Sequence, residues 1–222
     1  MKNFLIIGIF ASLIACTSRP APDTAQTGAE KMVTLSSGPE YKLSDTGSVV
    51  YWIGNKPTGQ HHGTIDIIEG QLSVKGSELA SGKFVLDMNS IVNLDLEDKE
   101  TNTKLVNHLK SPDFFYAEKY PNSTFEVTSV KQIVPTGIND VGIQPNNEIT
   151  GNLNLRGITK SITFPATIYV DDKFVTIVTD QFAIDRTLWG VSHMSKTLSA
   201  DLKDKFVDDE IIIHFNLRFD KL

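Results

Sequence analysis

The side chains that could do acid–base or metal chemistry are five histidines and one cysteine. His61 and His62 are adjacent, so in an extended chain their rings point to opposite faces and do not chelate one ion together. The other histidines, His108, His193 and His214, lack the HxxH and HExxH spacings of metal motifs. No paired-carboxylate, nucleophile-elbow or phosphate-loop pattern occurs either. The sequence therefore predicts no catalytic residue and no metal site, although a composite site from distant elements stays open.

His61 lies between Gly59 and Gly63, which favours a polar turn residue whose ring binds a neighbouring backbone group. Two functional alternatives stay open for this ring. It could meet the polar end of a ligand, or it could be the general base of an enzyme acting on a lipid-like or envelope substrate. The enzyme alternative requires a buried carboxylate within hydrogen-bond reach of the imidazole.

Cys16 is the only cysteine of the chain. It follows a short basic start and an apolar run, Phe4 to Leu13, that is too short to span a bilayer. The string Leu13-Ile14-Ala15-Cys16 resembles the lipobox of bacterial lipoproteins, and acylation would consume the unpaired thiol. We therefore expect residues 1–15 to be a signal peptide and Cys16 to be lipidated, so that acyl chains tether the protein to a membrane.

The segment after Cys16 predicts how the protein is placed in the cell. Residues 16–38 are rich in Thr, Ser, Ala, Pro and Gly and predict a flexible tether, followed by one domain over residues 39–222. Thr17, where an aspartate would favour inner-membrane retention, points to the outer membrane facing the periplasm. The formal net charge of −6, one unit more negative without Lys2, opposes nucleic acid as a partner.

Beyond the tether, apolar residues alternate with polar ones and predict a series of β-strands. The clearest alternation covers residues 211–219, and tight turns are predicted at Glu69-Gly70 and at Asp171–Lys173. Leu96–Lys110 instead has helical spacing and good helix formers. One helix among eight or more strands with short connections excludes a parallel βαβ architecture.

An antiparallel barrel and a β-sandwich produce the same alternation, so periodicity alone does not choose between them. In a barrel, the inward apolar residues would either line a tunnel for an elongated apolar ligand or fill a solid core. The inward set predicted from alternation, strand by strand, consists of Phe84, Leu86, Met88, Phe125, Val127, Leu153, Leu155, Phe164, Ile168, Phe182, Ile184, Phe215 and Leu217.

Four further positions are predicted at the ends of the barrel. Phe114 and Phe115 follow the helix and either form a hydrophobic mouth or plug the core beneath it. Trp189 is predicted at a rim, and Asp185 with Arg186 as an ion pair that closes a corner. Together with His61, the two phenylalanines and the tryptophan complete the predicted ligand-binding set.

Several segments in order resemble the YceI-like family of periplasmic and lipoprotein domains. They are Gly59–Thr64, Phe84–Ile91, His108–Phe115 with Tyr120–Phe125, Gly151–Lys160 and Phe182–Val191. The resemblance implies an all-β, eight-stranded antiparallel lipocalin-like barrel with one or two short helices. It also implies a polyisoprenoid or quinone held in the lumen, no other cofactor and no established catalysis. Asp45–Ser48 departs from the family pattern near the first strands, and the oligomeric state stays open.

Overall fold

The structure is a computed structural model that describes residues 22–33, 38–135, 144–199 and 202–222. The predicted signal peptide and Cys16 lie outside the described residues. Within them the chain forms fourteen strands and a single α-helix. No helix of this part of the chain has both the length and the apolarity needed to cross a bilayer.

The elements follow one another along the chain with short connections. They are β1 (Asp23–Thr24), β2 (Gln26–Gly28), β3 (Glu40–Leu43), β4 (Val49–Lys56), β5 (Gly59–Ile65), β6 (Ile67–Lys75), β7 (Glu78–Asp87), β8 (Val92–Asn93), α1 (Lys99–Lys110), β9 (Asn122–Gln132), β10 (Asn147–Leu155), β11 (Ile158–Val170), β12 (Phe174–Val178), β13 (Phe182–Asp185) and β14 (Glu210–Lys221).

Eight of these strands close into an antiparallel barrel. Around the ring the order is β14, β12, β11, β10, β9, β7, β6 and β3, and β3 pairs again with β14. Closure depends on the C-terminal half of β14, which pairs with β12 on one edge and with β3 on the other. A closed ring leaves no second layer, so the barrel prediction is confirmed and the sandwich is excluded.

The other end of the barrel is wider and is completed by α1. The N-terminal half of β14 pairs with β13 and β4, and β4 continues through β5 to β8, which α1 contacts. Asp98 caps the helix by accepting a hydrogen bond from the Thr101 backbone N–H at 2.9 Å, and Ser111 ends it. The predicted helix is confirmed, but it begins three residues later than expected because the cap lies at Asp98.

The predicted turn at Glu69-Gly70 is wrong, because both residues lie inside β6. Gly70 is buried, and a Cβ there would come within 2.9 Å of Leu43 and 3.1 Å of the Phe219 ring. This glycine therefore permits close strand packing, and the chain turns later, at Gly76 with φ of +66°. The predicted turn at Asp171–Lys173 is confirmed, since the Asp171 N–H donates to the Phe174 carbonyl at 2.9 Å.

Part of the predicted tether is attached to the barrel. Strand β1 pairs in parallel with β13, and β2 pairs in antiparallel fashion with β11. Ala25, between them, is 7% exposed and donates its N–H to the Ala183 carbonyl at 2.8 Å. The prediction of a flexible segment is therefore wrong for residues 23–28, because the backbone of β13 and β11 offers unpaired groups on that side.

Candidate functional site: the barrel lumen

The lumen contains two adjoining cavities. The main cavity, of about 500 Å³, lies at the end completed by α1, and the inner cavity, of about 90 Å³, lies deeper among the barrel strands. Four side chains line both cavities and form the constriction between them: Val50, Leu86, Leu153 and Ile213. The main cavity has the size and the largely apolar lining of a small-molecule site, for which about 300–1,000 Å³ is typical.

Most of the residues predicted to face inward do line this hollow. The main cavity is lined by Leu86, Met88, Phe114, Phe115, Leu153, Leu155, Ile184 and His61 of the predicted set. The inner cavity is lined by Phe84, Leu86, Phe125, Val127, Leu153, Phe164, Phe182, Phe215 and Leu217. Alternation was sufficient here because a strand residue on the apolar face of a closed barrel points inward.

Two members of the predicted set line neither cavity. Ile168 is 7% exposed and packs in the core. Trp189 is fully buried, and its indole Nε1–H donates to the Leu153 carbonyl at 3.0 Å. The prediction of a rim position for Trp189 is therefore wrong, because a short 3-10 helix, Arg186–Trp189, turns the ring into the core.

Several inward side chains remain half-buried although they point away from bulk solvent. Leu153, Phe215 and Ile213 belong to this group, whereas Phe164 and Phe182 on the inner cavity are only 3% and 4% exposed. A side chain inside a filled core would be covered on all sides. The lumen next to the half-buried group is therefore hollow.

Strand β4 contributes lining residues that the sequence analysis missed. Val50, Trp52 and Gly54 alternate on one face and line the main cavity. A Cβ built on Gly54 meets no atom within 4 Å, so this position opens directly onto empty space. The signal was present in the alternation of this segment, but glycine carries no apolar side chain to reveal the inward face.

His61 lies on β5 opposite Gly54 and lines the main cavity. Its Nδ1 is 2.8 Å from Asp95 Oδ2, and the other oxygen, Oδ1, accepts from the His62 backbone N–H at 2.8 Å. The expected turn residue bound to backbone is therefore wrong: the partner of His61 is a carboxylate between β8 and α1. Sequence reasoning did not find Asp95 because β8 brings it to β5 from 34 residues away.

The Asp95 carboxylate is held ionised. Burial raises the pKa of Asp95, but hydrogen bonds from the His62 backbone, the His61 ring and Asn93 outweigh burial and lower the pKa to about 2. An ionised partner at Nδ1 fixes the proton of the His61 ring on that nitrogen. The neutral ring then has its Nε2 as a hydrogen-bond acceptor.

Arg186 is a buried cation at the main cavity, with 1% of its surface exposed. Its guanidinium donates to the carbonyls of Val191, Val207 and Asp208 at 2.7–3.0 Å, and Nη2 is 3.8 Å from Asp209. Burial lowers the pKa of Arg186, and nearby carboxylates, Asp209 first among them, oppose this.

The predicted ion pair between Asp185 and Arg186 is wrong. The Asp185 carboxylate instead caps the following turn, accepting from the Thr187 N–H at 2.9 Å and the Thr187 hydroxyl at 2.6 Å. Arg186 pairs with Asp209, at the start of the last strand. The two side chains are adjacent in sequence but serve different elements.

The remaining histidines divide into two groups. His108 and His193 line the main cavity and approach the Asp113 carboxylate, with His108 Nε2 at 3.1 Å and His193 Nδ1 at 3.8 Å from Oδ2. His214 lines neither cavity and stacks on Tyr51 with ring centroids 4.6 Å apart. Burial lowers the pKa of His214.

Comparison with known proteins places this architecture. A UPF0312 protein of Pseudomonas putida is 30% identical over 137 residues, which are 60% of this chain and 64% of that protein. Protein YceI of Escherichia coli O157:H7 is 30% identical over 105 residues, 47% of each chain. The chain thus spans less than two thirds of the length of either relative.

Two crystal structures share the fold. BcnA of Burkholderia cenocepacia has a TM-score of 0.57 and 22% identity, covering 79% of this chain and 98% of that one. A polyisoprenoid binding domain of Saccharophagus degradans has a TM-score of 0.58 and 16% identity, covering 82% and 98%. The family model for the YceI-like domain matches residues 41–219, which contain every strand of the closed barrel except the first and last residues of the ring. The protein therefore belongs to the family of YceI-like domains.

Proposed function

We propose that the protein is a lipid-anchored envelope protein that binds or carries an elongated apolar molecule, of isoprenoid or quinone type, inside the barrel. The observation that carries this proposal is the hollow, apolar lumen with its two adjoining cavities. Each methylene removed from water contributes about 0.8 kcal/mol, so a tail of about ten carbons gains on the order of 8 kcal/mol in such a site. That gain approaches what the same tail gains in a bilayer, which a carrier requires.

The polar end of the ligand is assigned to the main cavity, beside His61. The inner cavity is lined entirely by apolar side chains and offers no partner for a polar group. The His61 ring, oriented by Asp95, presents Nε2 as an acceptor for a hydroxyl, and when protonated it donates to a carbonyl oxygen. The fold shared with a polyisoprenoid binding domain supports the same ligand class.

Extraction of the purified protein with organic solvent, followed by mass spectrometry, tests this proposal. Gly54→Phe should place a ring in the main cavity without a backbone clash and reduce the recovered lipid at least tenfold. Lys83→Phe, on the exposed face of β7, is the matched control and should leave recovery unchanged. Equal recovery from both variants, or no lipid from the unaltered protein, would contradict ligand binding in the lumen.

Anchoring is tested separately through Cys16. The full chain expressed with an alkyne-tagged fatty acid should incorporate the label and float with outer-membrane vesicles on a density gradient. Cys16→Ser should abolish the label and release the protein into the soluble periplasmic fraction. Labelling that survives this substitution would contradict lipidation at Cys16, whatever the lumen holds.

A second candidate function is an enzyme that uses His61 as general base. It is favoured by one observation, the Asp95 carboxylate 2.8 Å from His61 Nδ1, which is the arrangement that such a base needs. The two functions differ in what His61→Ala accumulates. A carrier should yield the same molecule at lower occupancy, whereas an enzyme should yield a chemically different one, with the mass of an unconverted substrate.

A further inference from the structure

We propose that His108, Asp113 and His193 form a binding site for a divalent transition-metal ion, with zinc as the ion that fits best. One nitrogen from each histidine and one carboxylate oxygen lie within 4.8 Å of one another. Two imidazoles and one carboxylate are the ligand set of zinc sites that keep a fourth position open. Calcium and magnesium are disfavoured, because they require more oxygen ligands than one carboxylate supplies.

The observed distances are close to those of a loaded site. With metal–ligand bonds of about 2.0–2.2 Å, the donor atoms of a tetrahedral site are about 3.3 Å apart. His108 Nε2 and His193 Nδ1 are 3.1 and 3.8 Å from Asp113 Oδ2. Small side-chain rotations would therefore bring the three groups into coordination geometry.

The backbone segments that carry the ligands are held together by Arg156. Its guanidinium donates to the carbonyls of Pro112 and Phe114, on either side of Asp113, at 2.8 Å each. It also donates to the Gly190 carbonyl at 3.0 Å, on the loop that leads to His193. A half-buried arginine that joins two loops in this way fixes the relative position of their ligands, which is how supporting groups tune a metal site.

Aromatic packing orients the two imidazoles. The buried Phe114 ring contacts both, with centroids 5.0 Å from His108 and 5.2 Å from His193. The Arg186 guanidinium lies 5.8 Å from the centroid of the same ring, and its charge is opposed by Asp209. The nearest buried cation is therefore separated from the cluster by a phenyl ring and neutralised by its own partner.

The site lies at the mouth of the main cavity, where both histidines are part of the lining. The Asp113 and His108 side chains are 57% and 43% exposed, so an ion can reach them from solvent. Water, or an oxygen of a molecule in the cavity, would complete the coordination. The proposal does not depend on which ligand the lumen carries.

Zinc titration of the metal-free full chain by calorimetry tests the site. The protein is purified in mild detergent, without a histidine tag and with Cys16→Ser, so that neither a tag nor the thiol binds the metal. We expect one saturable site with a dissociation constant below about 10 µM. His108→Ala and His193→Ala should each weaken it at least a hundredfold, and Asp113→Asn by a smaller factor because an oxygen ligand remains. His62→Ala, a half-exposed histidine outside the cluster, should stay within twofold.

Cobalt absorption provides a second measurement that a merely structural cluster would not affect. The unaltered protein with Co²⁺ should develop the visible bands of a tetrahedral ion, and His108→Ala should remove them. His108 is on the surface of α1, so this variant should fold normally by circular dichroism. No saturable zinc binding below about 100 µM, or binding that both histidine variants retain, would overturn the proposal.

Discussion

The two ends of the lumen are built from strands with the same alternation but are filled differently. Around the inner cavity, Phe164 stacks on Phe182 with centroids 4.6 Å apart, and Phe84 meets Phe219 edge-on at 5.5 Å. At the mouth, Gly54 leaves space that no side chain occupies, and α1 completes the wall where a further strand would have narrowed it. The size of the inward residues and the type of closing element, more than the barrel itself, determine where a hollow remains.

The largest effect that separates the two ends should come from Phe164→Ala. Its ring is 3% exposed and surrounded by other rings, so its loss should lower the free energy of unfolding by about 3–5 kcal/mol. Leu86→Ala is the comparison at the constriction, where the side chain already faces the cavities, and should cost about 1–2 kcal/mol. Urea denaturation measures both, and equal losses would show that the mouth is as well packed as the inner end.

Arg186→Leu should produce the next largest effect, at the mouth. It would leave three backbone carbonyls without their donor and the Asp209 carboxylate without its counter-ion, so a loss of about 3 kcal/mol is expected. Arg218→Leu is the matched control, since its exposed pair with Asp220 should contribute less than about 1 kcal/mol. Denaturant titrations that place both variants together would contradict the structural role given to the buried guanidinium.

Acid should weaken the mouth before the inner end, which has no titratable lining residue. The pKa of Asp95 falls from 3.8 to about 2 on folding, so its contribution is fully present above pH 4 and disappears as pH falls through 2. Because this side chain is 21% exposed, we expect about 1–2 kcal/mol from it. Unfolding free energies between pH 5 and 2 should show a slope that Asp95→Asn reduces. Asp172→Asn, on an exposed turn, should leave the slope as it is.

The smallest effect should come from Leu105→Ala on α1. This side chain is half-buried and faces the main cavity, so its truncation should cost less than about 1 kcal/mol. Hydrogen exchange of the α1 amides should accelerate only slightly, while the strands keep their protection. A loss as large as that of Phe164→Ala would mean that α1 packs on a filled core instead of covering a hollow.

The order and type of the elements could be predicted from local sequence, because alternation and helical spacing are properties of each segment. The inward residues of β7, β10 and β14 followed from parity alone, and the helix was predicted with its end at Ser111. Local glycines were less informative. Gly70 was interpreted as a turn residue, but its real role is to admit Leu43 and Phe219, a long-range contact that no local pattern records.

The sequence by itself determined a strand-rich YceI-like domain with an apolar face on every strand, because period-two alternation acts within a few residues. Tertiary structure alone decided that the ring closes, that a hollow remains at its mouth, and that residues 23–28 join the wall. It also decided the polar partnerships, His61 with Asp95 and His108 with Asp113 and His193. Such pairs depend on strand register and loop placement, which bring together side chains far apart in the chain, and spacing along the sequence carries no trace of them.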